Sequence, residues 1–475
     1  MDAQQSETTT TAGRNYPELV RKAGVETLTT ERVFAAFGSV ILERPALSIV
    51  GVNLPSEETK ENRRLWGARL PSISFQDCAE FLDDQPDGDE ALSTLFGRYH
   101  NPTSGSILGT KASRGGRLLL QMGSMLLSSL LAALNEPEAS PPPTVTSITT
   151  LATDLSKALP PSPLDQIQDT LMAACHQPSH PVVPHSGFFD HKHFLFSDAV
   201  FPNAFPTAAK PLPITERTVT KTQTSRIKKD HMKRCLNACH QHNTTFKALF
   251  HTLIQITLAT DFYPEANIGF SRLAVNIRPW LRTNPGRDAF TNAASQYARK
   301  QCLDMYHAAG NASSSEQNTA ANYQINAPLA WRLAARYKAH LSNFCKSRKP
   351  LQDFLTGKLL GEDNEKFIFY GLGLYQNNGF LILNLGSFEP KGGMAKGGWS
   401  IADVGFSARE IRATLGDTGI VFKLSSVKNG DRLIVAMHEE GVLRDGMVRE
   451  VLAAIMARLE FLLLLGSDLD FLLSG

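Results

Sequence analysis

Residues 397–407 of the chain are Gly397-Gly398-Trp399-Ser400-Ile401-Ala402-Asp403-Val404-Gly405-Phe406-Ser407. The two adjacent glycines allow a tight turn, because glycine adopts positive φ without steric cost. A tryptophan follows the turn, and an aspartate comes four residues later. Apolar Val404 and Phe406 then alternate with Gly405 and Ser407, which predicts a short strand. The stretch is therefore predicted to be a loop that enters a strand, with Trp399 as a core side chain.

Four further short sequence motifs lie at the ends of predicted helices and strands. They are Arg44-Pro45-Ala46-Leu47 between a helix and a strand, His242-x-x-Thr245 at the start of a helix, Asn276-Ile277-Arg278 at the end of a strand, and Asn384-Leu385-Gly386 at the end of another. Together with the Trp399 stretch, they resemble the fungal alcohol acetyltransferase family of CoA-dependent acyltransferases. The resemblance covers residues 16–475 and is closest over 215–460.

This resemblance implies an α/β fold of two chloramphenicol acetyltransferase-like domains, with mostly antiparallel sheets and an active-site tunnel at their interface. The implied boundaries are a disordered segment 1–15, an N-terminal domain 16–200, a linker 201–215 and a C-terminal domain 216–475. Proline is frequent between residues 178 and 213, which favours an extended connection there. Asn384, Gly386, Trp399 and Asp403 are implied to lie at the interface as substrate-binding or architectural residues.

The family's catalytic motif, His-x-x-x-Asp-Gly, is missing from this sequence. None of the thirteen histidines is followed by aspartate at the fourth position. The nearest match is His100, which is followed by Ser104 and Gly105. Histidine suits general-base catalysis because its ordinary pKa lies near working pH. His100 is therefore the predicted catalytic residue, with serine in place of the motif's aspartate.

Composition excludes several other classes of function. The chain has 475 residues, 42% hydrophobic and 20% charged, which predicts a soluble globular protein with more than one core. The formal net charge is +2, so no electrostatic attraction to nucleic acid or an anionic membrane is expected. We expect no transmembrane segment, no secretory signal, a cytoplasmic location and a monomer.

Hydrophobic periodicity predicts several secondary-structure elements. The predicted helices begin at Thr30, Asp230, Thr244-Thr245 and Asp445, and another includes Leu130, Leu131 and Leu134. Their predicted apolar faces include Val33 and Val40 in the first, Met232, Cys235, Leu236 and Cys239 in the second, and Val451 and Leu459 in the last. The predicted strands are 46–52, a piece around Ile73 and Phe75, 217–224, 268–277, 365–370, 380–385, 420–424 and 433–437, with a hairpin turn at Asn429-Gly430.

His231, Cys235, Cys239 and His240 are residue types that bind zinc. Both thiols fall on the apolar stripe of a predicted helix, where cysteine behaves as a small buried hydrophobe. We therefore expect reduced, metal-free cysteines and no bound cofactor.

Three hypotheses for function remain open from the sequence. The first is an acyltransferase that moves an acyl group, most simply acetyl, from acyl-CoA to the hydroxyl of a small alcohol or secondary metabolite. The second is a homologue that has lost its catalytic segment, by natural decay or a misread exon. The third is a non-catalytic binding protein that keeps the two-domain tunnel. Acyl-CoA and a small-molecule alcohol are the expected partners.

Overall fold

The computed structural model describes residues 18–21, 30–54, 64–74, 93, 128–135, 147–149, 219–280, 294–310, 323–347, 349–351, 379–389, 399–404, 419–440 and 443–473. Its helices are α1 (Thr30–Glu43), α2 (128–135), α3 (Lys229–Gln241), α4 (Phe246–Thr257), α5 (Asp304–Gly310), α6 (Ala327–Lys346) and α7 (Met447–Leu473). Short turns of 3₁₀ helix cover Pro45–Ser48 and Arg278–Trp280, and a π-helical turn, Leu258–Phe262, extends α4.

The strands are β1 (Glu18–Arg21), β2 (Ile49–Leu54), β3 (Arg64–Arg69), β4 (Ser72–Ser74), β5 (Ser147–Thr149), β6 (Thr220–Ile227), β7 (Ile268–Asn276), β8 (Ala294–Cys302), β9 (Phe380–Phe388), β10 (Trp399–Asp403), β11 (Ile420–Val427) and β12 (Arg432–Glu439). Six of them form one sheet in the order β6-β12-β11-β9-β7-β8. Only the β11–β9 and β9–β7 pairings of the described strands are parallel. The predicted α/β class with mostly antiparallel pairing is confirmed.

The main core lies between one face of the six-stranded sheet and the helices α3 to α7. Every residue of α4 except Lys247 is buried, so this helix runs through the centre of the core. Its Phe250 ring meets the Phe422 ring of β11 edge-on, with 5.6 Å between centroids. Thr245 caps the helix by accepting a hydrogen bond from the Ala248 N–H, as its position before the apolar stripe predicts.

The first predicted helix is confirmed as α1, with buried Val33, Phe34, Val40 and Ile41. It ends at Glu43, because the residue before a proline disfavours helix. The following strand begins later than predicted, at Ile49, since Pro45–Ser48 forms a 3₁₀ turn. The last helix, α7, buries the apolar face predicted for it.

The Trp399 stretch contains a strand that begins at Trp399, before the strand predicted from Val404. Residues Trp399–Asp403 form β10 themselves, and Val404 follows it as a buried residue. β10 pairs with β1, so that Glu18 lies opposite Asp403 and Arg21 opposite Trp399. The rest of the predicted strand, residues 405–407, lies outside the described residues.

The prediction for α3 was wrong in two details. Leu236, predicted on the apolar face, is 49% exposed, since its neighbours Cys235 and Cys239 define a narrower buried stripe. Asp230 lies inside the first turn and does not cap the helix. The capping carboxylate is Asp431, which accepts a hydrogen bond from the Lys229 N–H at 2.8 Å. Asp431 precedes β12, the strand that pairs with β6 before this helix.

Several predictions concern residues outside those described. They include the disordered segment 1–15, the Pro-rich 178–213 region, the strand 365–370 and the domain boundaries 16–200, 201–215 and 216–475. Within the described part of the chain, no helix combines the length and apolar composition that a membrane span requires.

Candidate functional site

A β-bulge interrupts the end of β9. Leu424 of β11 pairs with Asn384, but Ser426 pairs with Ser387, so β9 contains one extra residue between these two positions. Gly386 takes up the distortion with φ +77°, a conformation that favours glycine. The Gly386 N–H donates to the Asn384 side-chain oxygen at 2.8 Å. Bulges of this kind often occur beside functional sites, because they turn backbone groups out of the ladder.

Arg432, the first residue of β12, extends its side chain to this bulge. Its Nη1 donates to Asn384 Oδ1 at 3.4 Å, and its Nη2 donates to Ser426 Oγ at 3.3 Å. The Ser426 hydroxyl donates in turn to the Gly386 carbonyl at 3.4 Å. The guanidinium therefore contacts the two side chains that hold the Gly386 peptide. We call Asn384, Gly386, Ser426 and Arg432 the bulge cluster.

The guanidinium of the bulge cluster is buried, and no carboxylate among the described residues pairs with its charge. Arg432 is 8% exposed, and burial lowers the pKa of its side chain. One face of the guanidinium lies over the Phe246 ring, 5.0 Å from the centroid. A cation–π contact of this type contributes about 0.5–2 kcal/mol and does not replace an anion.

The bulge cluster lies where the N-terminal helices reach the large sheet. Phe388 at the end of β9 and Val404 after β10 form one buried apolar cluster with Val40 of α1 and Leu131 and Leu134 of α2. Phe388 is two residues after Gly386 in the chain. The end of β9 is thus a junction between elements that are more than 200 residues apart in the sequence.

The structure brings some of the predicted site residues together. Asn384 and Gly386 lie in the bulge cluster, at the junction with the N-terminal helices. The backbones of Trp399 and Asp403 lie at the two ends of β10, and nothing is described of their side chains. His100 lies outside the described residues, so its catalytic role stays a prediction.

Sequence reasoning missed Arg432 and Ser426. A signal was available for Arg432, because strand alternation places it on the same face as the buried Ile434 and Ala436. An arginine at an inward-facing position of an apolar strand is unusual. Ser426 had no such signal, since a serine near a strand end is common in hairpins.

A second buried polar group, His251, lies on α4 within the main core. Its Nε2 is 2.8 Å from the Ser271 hydroxyl, and its ring stacks on Tyr337 with 3.6 Å between centroids. Burial and, to a smaller extent, the charge of Arg299 hold the pKa of His251 well below its ordinary value. A neutral imidazole enclosed in this way is a core residue, because no substrate can reach it.

Burial of neutral His251 predicts a loss of stability in acid. The unfolded chain takes up a proton below about pH 6.5, whereas the folded chain keeps the imidazole neutral. The contribution of neutral His251 to the free energy of unfolding is therefore fully present above that pH. Below it, this contribution falls by up to about 1.4 kcal/mol per pH unit. In urea unfolding, the free energy of unfolding of His251→Asn should fall less steeply between pH 7 and pH 5 than that of the wild type. The difference in slope should correspond to the uptake of about one proton. Equal slopes in His251→Asn and in the control His240→Asn, an exposed position on α3, would contradict this prediction.

Comparisons with known proteins show the fold but no close relative. No protein-family model matches the chain, and no curated protein sequence matches it significantly. SgcC5 from Streptomyces globisporus is similar in structure over 92% of this chain and 89% of its own, with a TM-score of 0.50 and 11% identity. The condensation domain of the Monacolin K polyketide synthase MokA matches 92% of this chain and 90% of its own, with a TM-score of 0.46 and 12% identity.

TRI3 trichothecene 15-O-acetyltransferase from Fusarium sporotrichioides also matches in structure. The TM-score is 0.45 at 12% identity over 71% of this chain, and the match spans 62% of the TRI3 chain. At these identities the similarity concerns the fold alone. The chain has a mixed α/β fold of the chloramphenicol acetyltransferase type, as expected from the sequence, and the division into two domains stays a prediction.

Proposed function

We propose that this protein is an acyl-CoA-dependent O-acyltransferase that acts on the hydroxyl group of a small alcohol or secondary metabolite. The observation that supports this most directly is the position of Asn384-Leu385-Gly386. This motif, one of those shared with the alcohol acetyltransferase family, forms the bulge at which the N-terminal helices meet the large sheet. An acyltransferase of this fold has its tunnel at such a junction. The similar structure of SgcC5 was determined with a bound diol, (R)-(-)-1-(2-naphthyl)-1,2-ethanediol.

The proposed reaction is direct transfer between two bound substrates. A histidine removes the proton from the acceptor hydroxyl while the oxygen attacks the thioester carbonyl of acyl-CoA. The tetrahedral intermediate then expels the CoA thiolate, which receives the proton from the histidine. This route needs no covalent acyl-enzyme and no metal ion. Donors aimed at the carbonyl oxygen stabilise the negative charge that develops there.

His100 is the proposed base, and acetyl-CoA is the simplest acyl donor. We expect the purified protein to acetylate members of a panel of primary and secondary alcohols slowly, because Ser104 replaces the aspartate that supports the motif histidine. Loss of general-base catalysis in His100→Ala should reduce the rate by about 10²–10⁴-fold. The readout is release of free CoA together with mass spectrometry of the ester. His340→Ala, a change at an exposed position of α6, is the matched control.

Each result of this assay decides between the candidate functions. Turnover that persists in His100→Ala would mean that another residue is the base, and His185, His191 and His193 would be replaced next. Binding of CoA without turnover would favour the second candidate, a catalytically degraded homologue or a binding protein. The observation that favours this second candidate is the absence of His-x-x-x-Asp-Gly from the whole sequence. Absence of both CoA binding and turnover would exclude the proposed function.

A further inference from the structure

The charge of Arg432 has no counterion in the described structure. A buried guanidinium normally pairs with a carboxylate, because an uncompensated charge in the interior costs several kcal/mol. Within the described residues, Arg432 contacts only neutral groups: the Asn384 amide oxygen, the Ser426 hydroxyl and the Phe246 ring. Both hydrogen bonds are longer than usual for a guanidinium, and Nε donates to no acceptor in the described residues.

Among the described residues, neither Asp431 nor Cys235 forms an ion pair with Arg432. Asp431 precedes it in the chain, but its carboxylate caps α3 through the Lys229 N–H and bonds Lys228 Nζ at 3.3 Å. The thiol of Cys235 lies near enough to affect Arg432 electrostatically. A hydrogen bond with Cys239 and burial raise the pKa of Cys235 far above neutrality, so this thiol carries no negative charge.

The other members of the bulge cluster connect the guanidinium to the protein surface. Asn384 and Gly386 are half-buried, so the cluster reaches the accessible surface of the protein. A Cβ built on Gly386 would have no atom of the described residues within 4 Å, and the backbone is therefore open on that side. The Asn384 amide uses its oxygen twice, for the Gly386 N–H and for Arg432, while no described group accepts a bond from its NH₂.

We propose that the bulge cluster binds a small oxyanion, a phosphate or carboxylate group of a ligand, with Arg432 supplying the charge and Asn384 a neutral donor. A planar guanidinium suits both groups, because it can present two N–H donors to two oxygens at once. Two sources share this chemistry: a phosphate of CoA, or a carboxylate on the acceptor. Anion binding at the cluster requires no turnover, but the choice of CoA and the acceptor as sources rests on the proposed function.

The test is anion-dependent thermal stability of the full chain. Inorganic phosphate titrated at constant ionic strength should raise the Tm of the wild-type protein saturably, by on the order of 2–5 °C. Phosphate also stabilises proteins without specific binding. The specific part is the difference from Arg432→Met, which removes the charge and keeps an apolar stem against Phe246. Arg449→Met, at an exposed position of α7, is the matched control and should respond like the wild type.

Asn384→Asp is a second variant that does not depend on the folding of Arg432→Met. It places a carboxylate beside the guanidinium, so we expect a higher Tm without anion and loss of the phosphate response. Equal phosphate responses in the wild type, Arg432→Met and Asn384→Asp would overturn the proposal.

The source of the oxyanion is identified with three further probes, CoA, pantetheine and benzoate. An Arg432-dependent response to CoA but not to pantetheine identifies a nucleotide phosphate as the bound group. An Arg432-dependent response to benzoate identifies a carboxylate. A failure of phosphate and of all three probes to distinguish the wild type from Arg432→Met rejects the site, whatever the outcome of the acetylation assay.

Discussion

Gly379→Ala is expected to prevent the chain from folding. A Cβ built on Gly379 lies 1.5 Å from the carbonyl oxygen of Phe270 and 2.3 Å from its carbonyl carbon. Both atoms belong to the backbone of β7, which pairs with β9 from Ser271 and Phe380 onwards. The two strands cannot separate without breaking the β9–β7 pairing inside the six-stranded sheet. We expect a loss of about 4 kcal/mol or more, measured as soluble yield and urea unfolding.

Gly419→Ala is the matched control for this prediction. Gly419 precedes β11 as Gly379 precedes β9, and its N–H donates to the Gly379 carbonyl at 3.0 Å. An added Cβ there would lie 3.5 Å from the Gly379 carbonyl oxygen and 3.7 Å from Leu443 Cδ2, which are ordinary contacts. We expect unfolding close to that of the wild type. Similar stability of the two alanine variants would show that the β7–β9 contact tolerates separation.

The amphipathic helices could be predicted from the sequence, because their pattern is local. The stripe that contains Val33 and Val40 predicted α1, and the stripe that contains Val451 and Leu459 predicted α7. The start of α4 was predicted at Thr244-Thr245, of which Thr245 is the cap, because a threonine before an apolar helix is a local signal. These features need only the side-chain period of a helix.

Strand pairing could not be predicted, because it joins residues far apart in the chain. β1 and β10 are separated by more than 370 residues, and no local signal in Glu18–Arg21 indicates which strand pairs with β1. The capping of α3 by Asp431 has the same cause, since the helix begins about 200 residues earlier. Sequence reasoning assigned the cap to Asp230, the nearest suitable side chain.

Two of the four residues of the bulge cluster could be predicted from the sequence. The family resemblance singled out Asn384 and Gly386, and the structure places both in one bulge. The resemblance is silent on Arg432, whose role depends on the β11–β12 hairpin that brings it beside Ser426. A pairing-dependent contact of this kind appears only when the sheet is assembled.

Arg458→Ala is expected to cause the largest loss of stability among changes to the ion pairs. Arg458 of α7 is 1% exposed and binds Asp261 with both guanidinium ends, at 2.6 and 2.7 Å. Its Nη1 and Nη2 also donate to the Thr257 and Thr260 hydroxyls, both at 3.2 Å. The substitution removes a filled volume and leaves the carboxylate without its cation. The Asp261 side chain is 25% exposed, so water solvates the carboxylate that is left. The loss comes from the emptied volume and the missing hydrogen bonds of the guanidinium, about 3–5 kcal/mol, which urea unfolding at pH 7 would measure.

Arg444→Ala tests whether burial, and not the ion pair itself, accounts for this cost. Arg444 also holds a carboxylate with both guanidinium ends, that of Glu450, but the side chains are 57% and 49% exposed. Water solvates both charges once the pair is broken, so the free energy of unfolding should hardly change. Arg458→Ala and Asp261→Ala should then be strongly non-additive in the double variant, because each removes the same contact. Additive losses would mean that Arg458 stabilises the fold by its packing, with no specific contribution from Asp261.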